Sequence, residues 1–434
     1  MEYSLFSSVL CGNMKPLYSF LHCQQICGQM DEFLAGQSDS RAAELGMARP
    51  AYSSCTIRKK DIVKKIRVCC FCERWESGGI ESFLNNLLLH MDISHMEVDL
   101  VAAELKESVF SQYLRDRGVH FRELSGSQRR LTENYRLFHK LLSERQYDVV
   151  HLNIFHGMSL YYVHLAKRAG IPTRIAHSHN TDLRESPTRR IKIWLHRLYS
   201  SLYAPDATAL WACSNNAAQF MFPAKLLKTR GFTFIPNGID TKGFHFVPAV
   251  RETMRQKLGL TDQFVIGNVG RLCYQKNQNF LLEIFSQVIK LRPESHLLLV
   301  GEGEDLGMLQ EKALALGIED RMTFYGVTKQ VEQLLWAMDT FVFPSRFEGL
   351  GIVAVEAQAA GLRTFCSENV PEEAAVSPLF YRISLDKSAE FWAQEILTPP
   401  AGEPDRNPDR TGCAKFDISN VVQIVESSYK GSSV

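Results

Sequence analysis

Glu348 and Glu356 are separated by seven residues, with Gly349-Leu350-Gly351 directly after the first. A strand-like run over 340–344 precedes them, and an apolar stretch of helical spacing, opening at Gly351-Ile352, carries the second. A helix that opens on a glycine turn presents free backbone N–H groups, and such groups bind anions. Glu348 falls on the turn and Glu356 about a turn and a half into the helix, so the two flank one crevice. Carboxylates accept hydrogen bonds from sugar and ribose hydroxyls. Anion donors beside hydroxyl acceptors imply a polyol phosphate, and a nucleotide sugar meets that description.

Arg271 and Lys276 follow another strand and precede another helix. Projecting into the same strand-end crevice they supply two fixed positive charges, suited to a diphosphate leaving group. The plainer alternative is a pair of solvated loop cations. Ser77-Gly78-Gly79-Ile80-Glu81 joins the first strand to the first helix, where paired glycines permit a sugar or phosphate to approach the backbone. Gly301-Glu302-Gly303 also follows a strand, but its spacing is not that of a dinucleotide fingerprint. His177 and His179 end a strand and are expected to face the cleft, one as a hydrogen-bonding group and one capping or exposed. His151 and His156 have no placement from sequence.

These residues need strands that end together. From about residue 64, strand-like runs at 66–71, 96–102, 149–152 and 174–177 alternate with helical runs at 80–90, 135–145 and 159–169. The pattern restarts with strands at 232–235, 264–269, 296–300, 322–325 and 340–343, separated by helices at 278–290, 306–316, 331–338 and 352–360. Alternation of this kind builds right-handed βαβ units around parallel sheets. At 434 residues the chain exceeds one ordinary core. The expected fold class is α/β, two Rossmann-like doubly wound domains facing across a cleft. The divisions are an extension at 1–60, a first domain at 61–240, a second at 241–398, and a loop with a final helix at 399–434.

Forty-nine basic and 48 acidic side chains leave a net charge of +1, which gives no global field for nucleic acid. The 11 cysteines are odd in number and scattered, as in a reducing cytosol, and Cys23 with Cys27 lacks a second pair at zinc spacing. The opening Met-Glu-Tyr and the short apolar run at 6–11 do not fit a secretory leader. A cytoplasmic protein is expected. Residues 188–203 set Ile191, Trp194, Leu195, Leu198, Tyr199 and Leu202 on a helical stripe flanked by Arg189, Arg190, Lys192 and Arg197. Such a helix rests on an anionic membrane surface, or packs its stripe on its own domain.

Together the four stretches Gly78-Gly79-Ile80-Glu81, Pro236-Asn237-Gly238-Ile239-Asp240, Arg271 with Lys276, and 343–361 resemble family 4 of the retaining nucleotide-sugar glycosyltransferases. Within it they are most similar to enzymes of bacterial exopolysaccharide or capsule assembly. The resemblance runs from about Lys64 to the C-terminus and implies the GT-B fold. It also implies that Arg271 and Lys276 clamp the donor diphosphate, Glu348 contacts the transferred sugar and Glu356 the ribose. Backbone at Gly349, Leu350, Gly351 and Ile352 would meet sugar and phosphate, with Gly78 and Gly79 beside the diphosphate and His179 near the sugar. The base would lie by Gly326 and Val327. Metal independence, no cofactor beyond the donor, and a glycan or polyprenyl-linked acceptor are further implications. The implied setting is the cytoplasm, peripheral on the inner membrane face. Residues 1–60 and Arg363, where proline is usual, depart from the family. A nucleotide-sugar epimerase of the same fold and a non-catalytic partner protein are the competing readings.

Overall fold

The computed structural model describes residues 65–76, 78–107, 111–398, 406 and 411–431. The extension expected at 1–60 with Cys11, Cys23, Cys27 and Cys55, Ser77 and most of 399–411 lie outside the described residues.

The first lobe runs β1 (Ile66–Trp75), α1 (Gly79–His90), β2 (Met96–Leu105), α2 (Ser111–Asp116), β3 (His120–Glu123), α3 (Leu131–Arg145) and β4 (Val149–Ile154). After a 3-10 turn, Gly157–Leu160, it continues α4 (Tyr161–Arg168), β5 (Thr173–Ser178), α5 (Arg189–Tyr203), β6 (Ala209–Ala212), α6 (Asn215–Met221), α7 (Ala224–Arg230) and β7 (Thr233–Phe234). The second lobe comprises α8 (Pro248–Leu258), β8 (Phe264–Val269), α9 (Gln278–Leu291), β9 (Ser295–Val300), α10 (Leu306–Leu316), β10 (Met322–Gly326) and α11 (Val331–Ala337). It closes with β11 (Thr340–Phe343), α12 (Ile352–Ala359), β12 (Arg363–Ser367), β13 (Phe380–Ile383) and α13 (Ala389–Leu397). Last comes α14 (Ile418–Tyr429).

Among the described residues the strands form two parallel sheets, ordered β3-β2-β1-β4-β5-β6-β7 and β10-β9-β8-β11-β12-β13. Each order reverses once, between β1 and β4 and between β8 and β11. Ligands of doubly wound sheets bind beyond the strand ends at such reversals. The period-two alternation of β1 explains why both faces are covered. Val68, Cys70 and Cys72 pack with α1 and α14, while Cys69 and Phe71 pack with Phe138 and Tyr162 on α3 and α4. The final helix therefore lies on the first lobe, burying Ile418, Val421, Val425 and Tyr429. Each such aliphatic side chain stabilises the docking by roughly 1.5–3 kcal/mol.

Several elements differ from the sequence expectation. β1 runs on to Trp75, pairing with Leu105, because the sheet continues through Glu73 and Arg74, whose polarity conceals a strand. The strand expected at 232–235 pairs only over Thr233–Phe234. His177 does not face the cleft: it is fully buried, as is His151, and neither member of the His177/His179 pair is exposed. Arg363, where no strand was expected, opens β12, and its guanidinium donates to the carbonyls of Thr398 and Ile396.

Candidate active site

The loop between β11 and α12 is built by its neighbours. Glu348 is 4% exposed and its Oε1 lies 2.8 Å from Lys276 Nζ. Gln275 donates to the Phe347 carbonyl at 3.0 Å, so the β8–α9 loop holds this turn from one side. The first lobe holds it from the other. Thr181 Oγ1 donates to the Glu348 carbonyl at 2.8 Å, and Ser214 Oγ donates to that of Gly349. Asn215 adds two bonds to Glu373 at 2.7 Å. A Cβ on Gly349 would run into the His179 carbonyl, so only glycine permits this approach of the two backbones. Gly351 caps α12 at φ 78°, and Leu350 is buried behind it. Ile352 then starts the helix with its N–H groups at the strand ends.

The two cations sit on the β8–α9 connection and each meets carboxylates. Arg271 pairs with Glu304 at 3.0 Å and, across the cleft, with Glu76 at 3.3 Å. Lys276 pairs with Glu348 and lies 4.8 Å from the centre of the Phe343 ring. Gly78 and Gly79 open α1 near Glu76. A Cβ at Gly79 would meet nothing within 4 Å, which leaves room beside the helix start. Glu81 is buried in the first turn of α1, and burial raises its carboxyl to about 7.

Glu356 projects from the second turn of α12 and is half-buried. Desolvation, then the nearby Glu332 charge, raises its carboxyl to about 7 against the opposing pull of Lys276. Gly326 ends β10 at φ 80°, and the adjoining Val327 is 37% exposed. The Gly301-Glu302-Gly303 turn does not open to a ligand as its glycines suggested. The space at Gly301 and Gly303 is filled by the carbonyls of Gly270 and Leu272, so these glycines serve the packing of two strand-end loops.

His179 is 8% exposed, and its Nε2 lies 3.0 Å from Asn153 Oδ1. Asn153 Nδ2 donates to the Phe71 carbonyl, which orients the amide and makes His179 Nε2 the donor. Nδ1 is a buried acceptor that makes no regular hydrogen bond among the described residues, with the Asn237 side chain beside the ring. Behind it runs a ladder of rings. The His177 ring packs tilted against His179 with centres 4.0 Å apart, His177 Nδ1 lies 3.2 Å from His151 Nε2, and His151 Nδ1 lies 2.7 Å from the Tyr429 hydroxyl. Burial holds His151 and His179 down to about 3 and His177 well below the usual histidine range, so all three are neutral.

Sequence reasoning missed Glu76, Thr181, Asn153, Ser214 and Gln275. Each reaches the site from a separate segment, and none carries a local pattern that marks it. Glu304 sits three residues past Gly301, the one partner whose position at a strand end offered a signal.

Residues 77–242 match the model of Glycosyltransferase Family 4, and residues 250–379 match that of Glycosyl transferases group 1. The chain belongs to this glycosyltransferase family. Among relatives of the family, EpsF of Bacillus subtilis, named as a glycosyltransferase, is 28% identical over 335 residues, 76% of this chain and 86% of its own. The UDP-Gal:alpha-D-GlcNAc-diphosphoundecaprenol alpha-1,3-galactosyltransferase of Escherichia coli is 29% identical over 234 residues, 52% of this chain and 58% of that one. In fold, the chain is similar to Anabaena HepE, solved in complex with UDP and glucose. The TM-score is 0.67 at 19% identity, covering 84% of this chain and 99% of HepE. The two facing parallel-sheet lobes are thus the GT-B arrangement.

Proposed function

We propose that this glycosyltransferase moves a hexosyl unit from a nucleotide-diphospho-sugar to a glycan or lipid-linked acceptor, with retention at the anomeric carbon and without a metal. The observation that carries this reading is the gathering of Arg271, Lys276, Glu348 and the α12 N-terminus at the strand ends around the β8/β11 reversal. Phosphate oxygens compete with Glu76, Glu304 and Glu348 for the same N–H donors.

In this reading Arg271 and Lys276 take up diphosphate charge as the anomeric C–O bond breaks. Glu348 accepts hydroxyl hydrogen bonds from the sugar, and Glu356 those of the ribose. His179 presents Nδ1 as an acceptor for a sugar hydroxyl. The acceptor oxygen bonds on the face the diphosphate leaves, and its proton passes to a departing phosphate oxygen. Closure of the lobes excludes water. The ties from Thr181 and Ser214 to the donor loop, and from Asn215 to Glu373 of that loop's lobe, support that closure. A thermal-shift screen of nucleotide sugars tests the donor class. One or more should raise the melting temperature with saturation, and no shift from any would count against the reading.

The polyprenyl-linked acceptor and a setting in exopolysaccharide or capsule synthesis at the inner membrane face draw support from α5. Ile191, Trp194, Leu198 and Leu202 form an exposed stripe, with Ile191 61% and Trp194 62% exposed. Packing on its own domain belongs to the opposite face, where His196 and Ser200 bond the carbonyls of Phe220 and Met221. Arg190, Lys192 and Arg197 flank the stripe in solvent. No helix among the described residues is long and apolar enough to cross a membrane. Arg189, held by Asp182 and Glu185, is a poor probe, so Arg190 and Arg197 are the residues to neutralise. At about 1 kcal/mol per charge, the double glutamine variant should bind phosphatidylglycerol vesicles roughly thirtyfold more weakly. Unchanged partitioning would discard the membrane assignment.

A further inference from the structure

Tyr113 lies on α2, which follows β2 on the first lobe, and is 45% exposed. Its ring centre is 4.3 Å from Lys329 Nζ, and the same ammonium lies 3.3 Å from the tyrosine hydroxyl. Lys329 belongs to the second lobe, three residues beyond Gly326 and two beyond the exposed Val327. This contact brings an aromatic side chain of one lobe to the strand end of the other. The strand end itself is pinned. The Gly326 carbonyl accepts from Gly301 N at 2.9 Å, and a Glu302 carboxylate oxygen lies 3.5 Å from where a Gly326 Cβ would be.

One end of the cleft therefore gathers an aromatic face, an exposed aliphatic side chain, an ammonium and an exposed carboxylate. A purine or pyrimidine uses all four: its π face stacks, and its edge carries both N–H donors and carbonyl acceptors. A cation–π pair in solvent is weakly held, so a flat ring can displace Lys329 from Tyr113 without disturbing the fold. The Tyr113 side chain makes no hydrogen bond other than the one to Lys329 among the described residues, and no core cluster contains it.

We propose that Tyr113 is part of the nucleotide-base subsite, stacking on the donor base from the first lobe while the Gly326–Val327 backbone meets it from the second. The assignment rests on the donor reading above. It makes base binding a shared task of both lobes, so a nucleotide is gripped fully only when they face each other.

Calorimetric titration of the full chain with UDP, GDP, ADP and dTDP, and separately with inorganic pyrophosphate, tests it. For whichever nucleotide the parent binds, Tyr113→Ala should weaken affinity about tenfold or more, the range of a lost aromatic stack, and leave pyrophosphate binding unchanged. Tyr113→Phe, which keeps the ring, should bind as the parent does. Parent-like nucleotide affinity in Tyr113→Ala overturns the assignment, as does an equal loss for pyrophosphate. A parent that binds none of the four nucleotides overturns the donor reading itself, a different result from either.

Discussion

Alanine at Lys276 lowers nucleoside diphosphate release about a hundredfold or more, the scale of losing one fixed charge-stabilising group at a reacting centre, and alanine at Arg271 lowers it at least tenfold. The two variants fail for separable reasons. Lys276 is the partner of a carboxylate that is 4% exposed, so its removal also leaves Glu348 buried and uncompensated. Breaking such a pair costs about 3–5 kcal/mol, and part of the Lys276→Ala defect will appear as a lowered melting temperature. Arg271 is different. Glu76 and Glu304 both reach solvent and can rehydrate, so Arg271→Ala should fold as the parent does and report on the reaction alone. Arg271→Lys should recover part of the activity, since it restores charge but not the planar fork. Glu356→Ala should also cost at least about tenfold, equivalent to roughly 1.4 kcal/mol. Parent-like rates in Arg271→Ala and Glu356→Ala would remove both residues from the site.

Acid should unfold the protein in two stages. His151, His177 and His179 are buried and neutral, with folded-state values depressed to about 3 or, for His177, well below the ordinary value. In the unfolded chain each takes a proton near pH 6.5, so each withdraws stability as pH falls through that value. Glu73, Glu81 and Glu356 act in the opposite sense. Burial raises all three to about 7, so between about pH 7 and 4.5 the folded state holds three protons that the unfolded chain lacks. These offset His151, His177 and His179 down to about pH 4.5, while His156 and His296, held down to about 4, still withdraw stability. Below about pH 4.5 the unfolded carboxylates protonate as well, the offset ends, and stability falls more steeply. Urea midpoints from pH 7 to 4 would show the break. His151→Gln should make the limb below about pH 4.5 shallower, and a profile that does not steepen there would contradict the neutral ladder.

What was legible in the chain depended on how local it was. Glu348, Gly349, Gly351 and Glu356 occupy one strand–turn–helix unit, so their spacing alone described a crevice. The alternation of strands and helices similarly gave two parallel sheets without any long-range information. The short elements escaped. β3 is a polar four-residue edge strand, and β12 opens on Arg363, whose charge conceals a buried position until its carbonyl partners are seen. The histidines were placed in the cleft because they end β5. Their actual setting depends on Tyr429, 278 residues from His151, and on α14 lying over the first sheet. Likewise the position of Arg271 after a strand marks a cation but not its partner Glu76, which comes from the other lobe. No spacing rule connects such pairs. The stripe on α5 was visible from sequence with two outcomes open, and only burial showed that it faces solvent.

The central claim is transfer of a sugar from a nucleotide donor with retention. Time-resolved proton NMR of donor turnover, using the nucleotide sugar that stabilises the protein most and water as the acceptor, addresses it directly. Free nucleoside diphosphate should appear in equal amount to released sugar, with the first-formed sugar in the donor's own anomeric configuration. An inverted first product would contradict retention. A donor whose sugar is rearranged before release would favour an epimerase, and a donor that stabilises the fold but is never consumed would make the chain a binding protein.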